Sequence, residues 1–233
     1  MKSWTTKEGT EIYRILSLPA NVYLVRNEGR QLLVDTSTKL FYRTLRKRLD
    51  KFSFGNGESD CLVLTHTHYD HCQNVAAVKE ETACRIIVSK EAEEAVATGY
   101  TPPPAGTMPL TRLLISVGKR TANKNFAYRP FKADDMVTKE YRLFDNDNIK
   151  IIPTPGHSAD SMSIIVDNEI ALVGDAMFGI FISSIYPPFC DDTAEMLKSW
   201  AKLTDTGCTL FLPGHGSPIS LPRLLSQYQK HNR

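Results

Sequence analysis

The chain has 233 residues, of which 42% are hydrophobic and 23% are charged, and its formal net charge at pH 7 is +2. This is the composition of an ordinary soluble globular protein that is long enough for a sizeable core. A net charge so close to zero indicates no particular class of binding partner.

Nothing in the sequence predicts export or insertion into a membrane. Residues 1–7 have no apolar h-region, so no secretory signal is expected, and no run approaches the roughly 18 apolar residues of a membrane span. The five cysteines are an odd number without a Cys-x-x-Cys pair, which fits a reduced, cytoplasmic protein better than a disulfide framework.

The first elements are three strands and a helix. Residues 11–16, 21–25 and 31–34 are short apolar and β-branched runs that predict strands. Apolar side chains then recur at helical spacing over residues 40–52, and the other face of this helix is rich in lysine and arginine. We interpret the basic face as solvent-exposed; a patch for an anionic polymer is the alternative.

A run of histidines follows the next predicted strand, residues 61–64. In an extended chain residues i and i+2 point to the same side, so His66 and His68 can converge on one ion as that strand ends. Asp70 and His71 come just before a predicted helix, whose turn aims them at a neighbouring point. The spacing favours two adjacent metal sites, and we interpret Cys72 as a small helix residue rather than a ligand.

The middle of the chain continues the alternation of strand and helix, with a strand at 85–89 and a helix at 90–97, and then breaks. Three consecutive prolines at 102–104 cannot continue a helix, a short helix is predicted at 110–117, and residues 119–132 are basic with interleaved aromatics. We interpret residues 98–135 as an insertion, either a lid over the site or a surface excursion.

Order returns in the second half of the sequence. Residues 136–144 and 149–152 are strand-like around a turn at 145–148, and 161–166 pairs with 169–173 in a predicted hairpin that delivers Asp175 at a strand end. A capping box at 192–195 opens a helix, residues 209–212 form the strand that presents His215, and 221–230 is a final helix.

Two Pro-Gly-His motifs, which end at His157 and His215, and the Gly-Asp pair that ends at Asp175 follow the histidine run. Together they give a pattern of seven candidate ligands: His66, His68, Asp70, His71, His157, Asp175 and His215. This pattern resembles that of the metallo-β-lactamase-fold hydrolases, and it runs from about Asp35 to Gly216. The resemblance implies an α+β fold, a four-layer αβ/βα sandwich of two mixed β-sheets flanked by helices. Since the ligands must meet at one place, we expect a single domain over residues 1–233.

The resemblance also implies the roles of these residues. His66, His68 and His157 hold one divalent metal ion; Asp70, His71 and His215 hold a second, and Asp175 bridges the two. Zinc is expected, with iron or manganese as alternatives. A metal-bound hydroxide attacks a small ester, lactone or thioester, and Asp70 is the catalytic residue that orients the nucleophile or carries a proton.

Comparison with family members narrows the expected substrate. Only eighteen residues follow His215, where glyoxalase II enzymes add a helical glutathione-binding domain, so a glutathione thioester is not expected. Subclass B1 β-lactamases place a cysteine where this chain has Asp175, so antibiotic hydrolysis is not expected either. A phosphodiesterase or nuclease of the same fold and a mononuclear iron enzyme like the persulfide dioxygenases remain alternatives.

Residues 176–190, directly after Asp175, carry no charge and include four aromatic residues. We interpret this stretch as a wall for an apolar substrate, with Phe178, Phe181 and Tyr186 as candidate contacts; packing into the core or against a second subunit is the alternative. A nuclease would place lysine or arginine beside its metals. We therefore expect a small-molecule substrate and neither a nucleic acid nor a membrane as partner.

Overall fold

A computed structural model describes residues 1–57, 59–118, 126–144 and 149–232, with the backbone alone for 114–118. The turn expected at 145–148 and residues 119–125 of the basic stretch lie outside the described residues. Within them, no helix is both long enough and apolar enough to cross a lipid bilayer.

The first half of the chain forms a seven-stranded mixed sheet in which spatial order follows sequence order. Its strands are β1 (Lys2–Thr5), β2 (Glu11–Ser17), β3 (Asn21–Asn27), β4 (Arg30–Val34), β5 (Cys61–Val63), β6 (Arg85–Ser89) and β7 (Asp135–Val137). Strands β1 to β4 are antiparallel and β4 to β7 are parallel. The strands predicted between residues 11 and 89 are confirmed, whereas β1, whose side chains are largely exposed, gave no apolar signal.

The second half forms a six-stranded sheet in the order β13-β12-β11-β10-β9-β8. Its strands are β8 (Tyr141–Arg142), β9 (Ile149–Pro153), β10 (Met162–Val166), β11 (Ile170–Gly179), β12 (Leu210–Gly216) and β13 (Ile219–Ser220). Pairing is antiparallel except between β11 and β12. Since β9 and β11 both oppose β10, the strands β9, β11 and β12 run in one direction and end at the same edge.

Two of the predicted strands have the wrong extent. The strand-like run at 136–144 is two strands in different sheets, because the chain crosses from one sheet to the other between β7 and β8. Asp175 was expected at a strand end, but β11 continues to Gly179 because Phe178 still pairs with His215 on β12. The ladder is irregular between Gly174 and Phe178, which is where Asp175 lies.

Seven α-helices are described: α1 (Tyr42–Lys51), α2 (Tyr69–Cys72), α3 (Val75–Thr82), α4 (Glu93–Thr98), α5 (Pro109–Gly118), α6 (Thr193–Thr204) and α7 (Leu221–His231). Short 3-10 turns precede α1 at Lys39–Phe41 and α4 at Lys90–Ala92. On the basic face of α1, Arg43, Lys47 and Lys51 are exposed, and Arg46 pairs with Asp50 and Glu81. This agrees with a solvated face.

Three apolar clusters define four layers. Leu45 and Leu49 of α1 pack on the outer face of the first sheet, and Trp200 and Leu203 of α6 pack on the outer face of the second. Between the sheets lies a third cluster that both sheets supply: Ile12, Val25, Leu32, Val34, Val63, Ile87, Ile151, Ile164, Leu172 and Leu212. The predicted sandwich of two mixed sheets flanked by helices is therefore confirmed.

Residues 105–107, in the segment 98–135, are attached to the loop that precedes α6. Thr107 N donates to Pro188 O at 3.0 Å, and Cys190 N donates to Ala105 O at 2.8 Å. Tyr128 and Ala133, by contrast, pack in the apolar cluster on the outer face of the first sheet. That residues 98–135 are an insertion, and that they act as a lid, stay predictions.

The N-cap of α6 gives a test of the fold. The Asp192 carboxylate accepts from Glu195 N at 2.9 Å, so Asp192→Ala leaves an end N–H group without its partner. We expect Asp192→Ala to lower the free energy of unfolding by about 1 kcal/mol in urea titration, and Asp192→Ser, which keeps an acceptor, to stay close to wild type. Equal stability of the alanine variant and wild type would contradict this role.

Candidate metal centre

The fold brings all seven sequence-predicted ligands to one place. His66, His68, Asp70 and His71 follow the carboxyl end of β5. In the other sheet, His157 follows β9, Asp175 lies within β11, and His215 lies near the carboxyl end of β12. Carboxyl ends of parallel strands share an edge, and the two sheets are stacked so that these edges adjoin. The donor atoms of the seven form three overlapping groups, within each of which they lie no more than 4.8 Å apart.

The first group is His66, His68 and His157. His68 Nδ1 lies 2.9 Å from His157 Nε2, and the His66 ring stands edge-on to both other rings, with centroids 4.7 and 4.9 Å away. Two nitrogen ligands of a tetrahedral zinc ion are about 3.3 Å apart. The spacing of this group therefore fits one transition-metal ion.

The second group is Asp70, His71 and His215. His215 Nε2 lies 3.3 Å from Asp70 Oδ2 and 3.4 Å from His71 Nε2. Asp175 stands between the two groups, with Oδ2 3.6 Å from His157 Nε2 and 3.4 Å from His215 Nε2, and Oδ1 3.4 Å from His71 Nε2. A carboxylate in this position can contact ions in both groups.

Hydrogen bonds at the far side of the rings fix which nitrogen faces the centre. His157 Nδ1 donates to Phe189 O at 2.8 Å, and His215 Nδ1 donates to Pro19 O at 3.0 Å. The Thr65 hydroxyl donates to Asp35, so its oxygen accepts from His66 Nδ1 at 3.1 Å. Such outer contacts set the tautomer and leave Nε2 as the ligand atom.

The donor atoms behave like those of a cation site. His66 Nε2 and Asp175 Oδ1 are buried and have no hydrogen-bond partner among the described residues. Buried polar atoms are almost always satisfied, and an ion would satisfy both of these. The seven residues therefore fit a pair of divalent metal ions.

Asp35 is the main positioning residue that the sequence reasoning missed. It follows β4 with φ +64°, is almost fully buried, and accepts from Thr65 N, Thr65 Oγ1 and His71 Nδ1, each at 2.8 Å. The carboxylate thereby ties the end of β4 to the metal-motif loop and orients the His71 ring. The sequence feature that could have identified this residue is an aspartate directly after an apolar strand.

Charge divides the histidines into two kinds. Burial, followed by the neighbouring His71 and His68, holds the pKa of His66 well below its ordinary value, and burial lowers the pKa of His157 to about 4. Burial also opposes a charge on His215, but Asp175 and Asp70 outweigh it and raise the pKa to about 10. His71, buried but surrounded by carboxylates, likewise has a raised pKa.

The neighbouring imidazoles lower the pKa values of the two carboxylates. Burial alone would raise the pKa of Asp175, yet the adjacent His215 and His71 hold it well below its usual range, and Asp70 is shifted down by His71 and His215 against its own burial. Asp70 and Asp175 are thus ionised beside positive imidazoles. A divalent cation can take the place of those protons, so its binding releases them.

Gly214 is required by close approach rather than by its backbone angle. A Cβ atom there would lie 2.3 Å from Asp175 Oδ1 and 2.7 Å from His71 Cε1. Any side chain would displace groups that belong to the centre.

The three aromatic candidates for substrate contact are placed differently. Phe178 stacks on the His215 ring, with centroids 4.9 Å apart, and borders the centre. Phe181 is 39% exposed in the loop after β11. Tyr186 packs against Trp200 and His231 on the outer side of the second sheet, so its ring belongs to that cluster.

Cys72 lies outside the metal-capable groups found among the described residues. It ends α2, and its thiol donates to Thr67 O at 3.2 Å. Burial, followed by nearby carboxylates, raises the pKa of this thiol well above its ordinary value, which opposes a thiolate ligand.

Known proteins with similar sequences or structures agree with the resemblance to the metallo-β-lactamase fold. A family model described as the metallo-beta-lactamase superfamily matches residues 17–215. Lactamase-like protein nscB of Trichophyton rubrum is 26% identical over 215 residues, which are 91% of this chain and 53% of that protein. Atrochrysone carboxyl ACP thioesterase of Aspergillus fumigatus is 28% identical over 102 residues, 43% of this chain and 31% of that protein. The crystal structure of BLEG-1 B3 metallo-beta-lactamase superposes with a TM-score of 0.71 at 18% identity, covering 95% of this chain and 100% of that one.

The chain spans only part of the length of the curated relatives that it matches. It spans between 52% and 64% of the length of six relatives that align over 91% of it. The solved structure, at 18% identity, supports the fold alone.

Gly214→Ala tests the geometry of the centre. We expect wild-type protein, loaded with zinc and desalted, to retain about two equivalents per chain by elemental analysis, and Gly214→Ala to lose at least one because the new methyl group displaces Asp175 and His71. Gly57→Ala is the matched control, since the three atoms nearest to its Cβ all belong to Asp60, the nearest at 3.0 Å, and Asp60 is not a predicted ligand. Retention of two equivalents by a folded Gly214→Ala variant would disprove this arrangement.

Proposed function

This chain belongs to the metallo-beta-lactamase superfamily, and on that premise we propose that it is a metal-dependent hydrolase of small esters, lactones or thioesters. The observation that carries the proposal is the position of Asp175, within 3.6 Å of histidine nitrogens from both groups. One buried carboxylate between two sets of imidazoles suits a binuclear hydrolytic centre.

The proposed ligands divide into two ion sites. His66, His68 and His157 would hold one ion, Asp70, His71 and His215 the other, with Asp175 in contact with both. Divalent ions supply Lewis acidity and lower the pKa of water towards neutrality when bound. Imidazole and carboxylate donors suit zinc, which we propose as the metal; iron and manganese accept the same donors.

Asp70 is the proposed catalytic residue. Its side chain is 18% exposed, whereas that of Asp175 is 5% exposed, so Asp70 is the carboxylate of the pair that water and substrate reach more readily. Its lowered pKa keeps it ionised, so it can accept a hydrogen bond from a water molecule and orient that water for attack. His215, at 3.3 Å, holds the carboxylate in place.

Two observations favour a carbonyl substrate with an apolar part. Phe178 stacks on His215 at the centre, and the loop that follows exposes Ile180 by 56% and Ile182 by 99%. The uncharged stretch 176–190 offers no cation for a phosphate. A thioesterase among the relatives supports the thioester as one member of this class.

Asp175→Asn tests the role of the shared carboxylate. We expect kcat/KM for a thioester to fall by at least about 100-fold, which corresponds to roughly 2.7 kcal/mol of transition-state stabilisation, because the amide lacks the charge that pairs the ions. Circular dichroism should show a retained fold, and Asp205→Asn, on an exposed helix end, serves as control. Full turnover with full metal content in Asp175→Asn would make Asp175 a structural residue.

A substrate panel tests the reaction class. Zinc-loaded protein is assayed with medium-chain acyl esters, lactones and thioesters beside bis(p-nitrophenyl) phosphate and RNA. We expect the carbonyl compounds to have the higher kcat/KM, because the loop beside the centre is apolar and uncharged. Phosphodiesters turned over about 100-fold faster, a difference of roughly 2.7 kcal/mol, would reverse the assignment.

A further inference from the structure

A cavity of about 570 Å³ lies beside the first group of histidines. Its wall is formed by α4 and the turn before it, by the start of the segment 98–135, and by the loop after His157. A volume of this size is typical of a site for a small organic ligand. We call it the acidic pocket, for the four carboxylate residues in its lining: Glu91, Glu94, Asp160 and Asp191.

The acidic pocket is directly connected to the proposed centre. His68 lines it and is 6% exposed. One ring nitrogen of His68, Nδ1, faces His157 at 2.9 Å, while the other, Nε2, is buried without a hydrogen-bond partner among the described residues. A ligand in the pocket therefore lies against a residue of the reaction centre, where one end of a substrate would extend.

Hydrogen bonds hold Asp160 in place in the pocket lining. Asp160 is buried and accepts from Thr67 N at 2.8 Å, from Thr67 Oγ1 at 2.7 Å and from Ser158 Oγ at 2.6 Å. Thr101 Oγ1 donates to Thr67 Oγ1 at 2.8 Å. These bonds hold the side chains of the pocket in place before a ligand enters, so little conformational entropy is lost on binding.

The charge of the lining has one sign. Glu91, Glu94 and Asp191 are exposed, and no lysine or arginine is among the described residues that line the pocket. The four carboxylates do not belong to any metal-capable group found among the described residues, so they are too dispersed for a single inorganic cation. The lining thus attracts an extended organic cation and repels an anion.

The rest of the lining suits the same kind of ligand. Tyr100 contributes an aromatic ring, and Ala95, Pro102 and Pro103 contribute apolar surface. Alkylammonium groups bind where carboxylates and an aromatic face surround them and apolar surface covers their methylene groups.

We propose that the acidic pocket binds an ammonium group carried by the substrate, so that the hydrolase prefers cationic esters or thioesters. This inference rests on the proposed function, since it names the substrate class of the same centre.

Three thioesters of nearly equal shape test the proposal on the zinc-loaded protein. They are acetylthiocholine, its neutral isostere S-(3,3-dimethylbutyl) thioacetate, and the anionic S-acetyl-2-mercaptoethanesulfonate. We expect kcat/KM to fall in that order, with the cation favoured over the neutral ester about fivefold or more at low salt and less at high salt. In the Glu91→Gln/Glu94→Gln protein the preference should shrink to about twofold.

A control and a binding measurement separate the two hypotheses. Glu8→Gln/Glu28→Gln removes the same charge from exposed turns outside the pocket lining and should leave the preference unchanged. The methyl thioethers of the three thiols, which cannot be hydrolysed, are titrated by NMR and should bind in the same order.

The outcomes are distinct. Hydrolysis without charge preference, or a preference that survives Glu91→Gln/Glu94→Gln, overturns the cation pocket and leaves the hydrolase intact. A second outcome is that no thioester is hydrolysed, while wild type binds the cationic thioether more tightly than the other two and Glu91→Gln/Glu94→Gln does not. That result would support the cation pocket and contradict the proposed hydrolase activity.

Discussion

The stacking of the two sheets is the constraint on which the site depends, because each sheet supplies only part of it. Apolar side chains between the sheets provide the driving force, and a few hydrogen bonds set the alignment at the edge where the ligands lie. Met162 N donates to Thr65 O at 2.7 Å, and both Asn21 Nδ2 and Tyr23 OH donate to Pro213 O, at 2.8 and 2.9 Å. These contacts join the loop after β5, which carries the first histidines, to β10, and β3 to the strand of His215. A shift of one sheet along the other would separate the donor atoms.

The stacked sheets also explain the chemistry of the centre. Asp175 lies between His71 and His215 in a largely buried space, where an unpaired carboxylate charge is costly. They stabilise one another there, and Asp35 adds a carboxylate behind His71. Such an arrangement favours cations at its middle. The acidic pocket extends the same preference outward past His68, so that a positive group on a substrate would be attracted to one side while its carbonyl lies at the centre.

The sequence predicted the fold and the ligands well where the signal was local. Apolar runs marked β3, β4 and β6, and the capping residue Asp192 marked α6, because strand burial and helix capping depend on neighbouring residues. The sequence did not predict that residues 136–144 divide between two sheets, because the division depends on pairing with strands that are far away in the sequence. The same holds for Asp35 and Asp160, ordinary aspartates whose partners become evident only when the strand ends meet. Tyr186 was grouped with Phe178 because both follow Asp175, yet the turn of the chain after β11 directs it to Trp200.

X-ray absorption spectroscopy of the zinc-loaded protein tests the central claim, two ions held by nitrogen and oxygen donors around Asp175, most directly. The account predicts a first shell of nitrogen and oxygen at about 2.0–2.1 Å, and a metal–metal distance of about 3.5–4 Å that disappears in Asp175→Asn. A sulfur shell at about 2.3 Å would implicate a cysteine such as Cys72, and a spectrum without a metal–metal distance would show a single ion; either result would contradict the account.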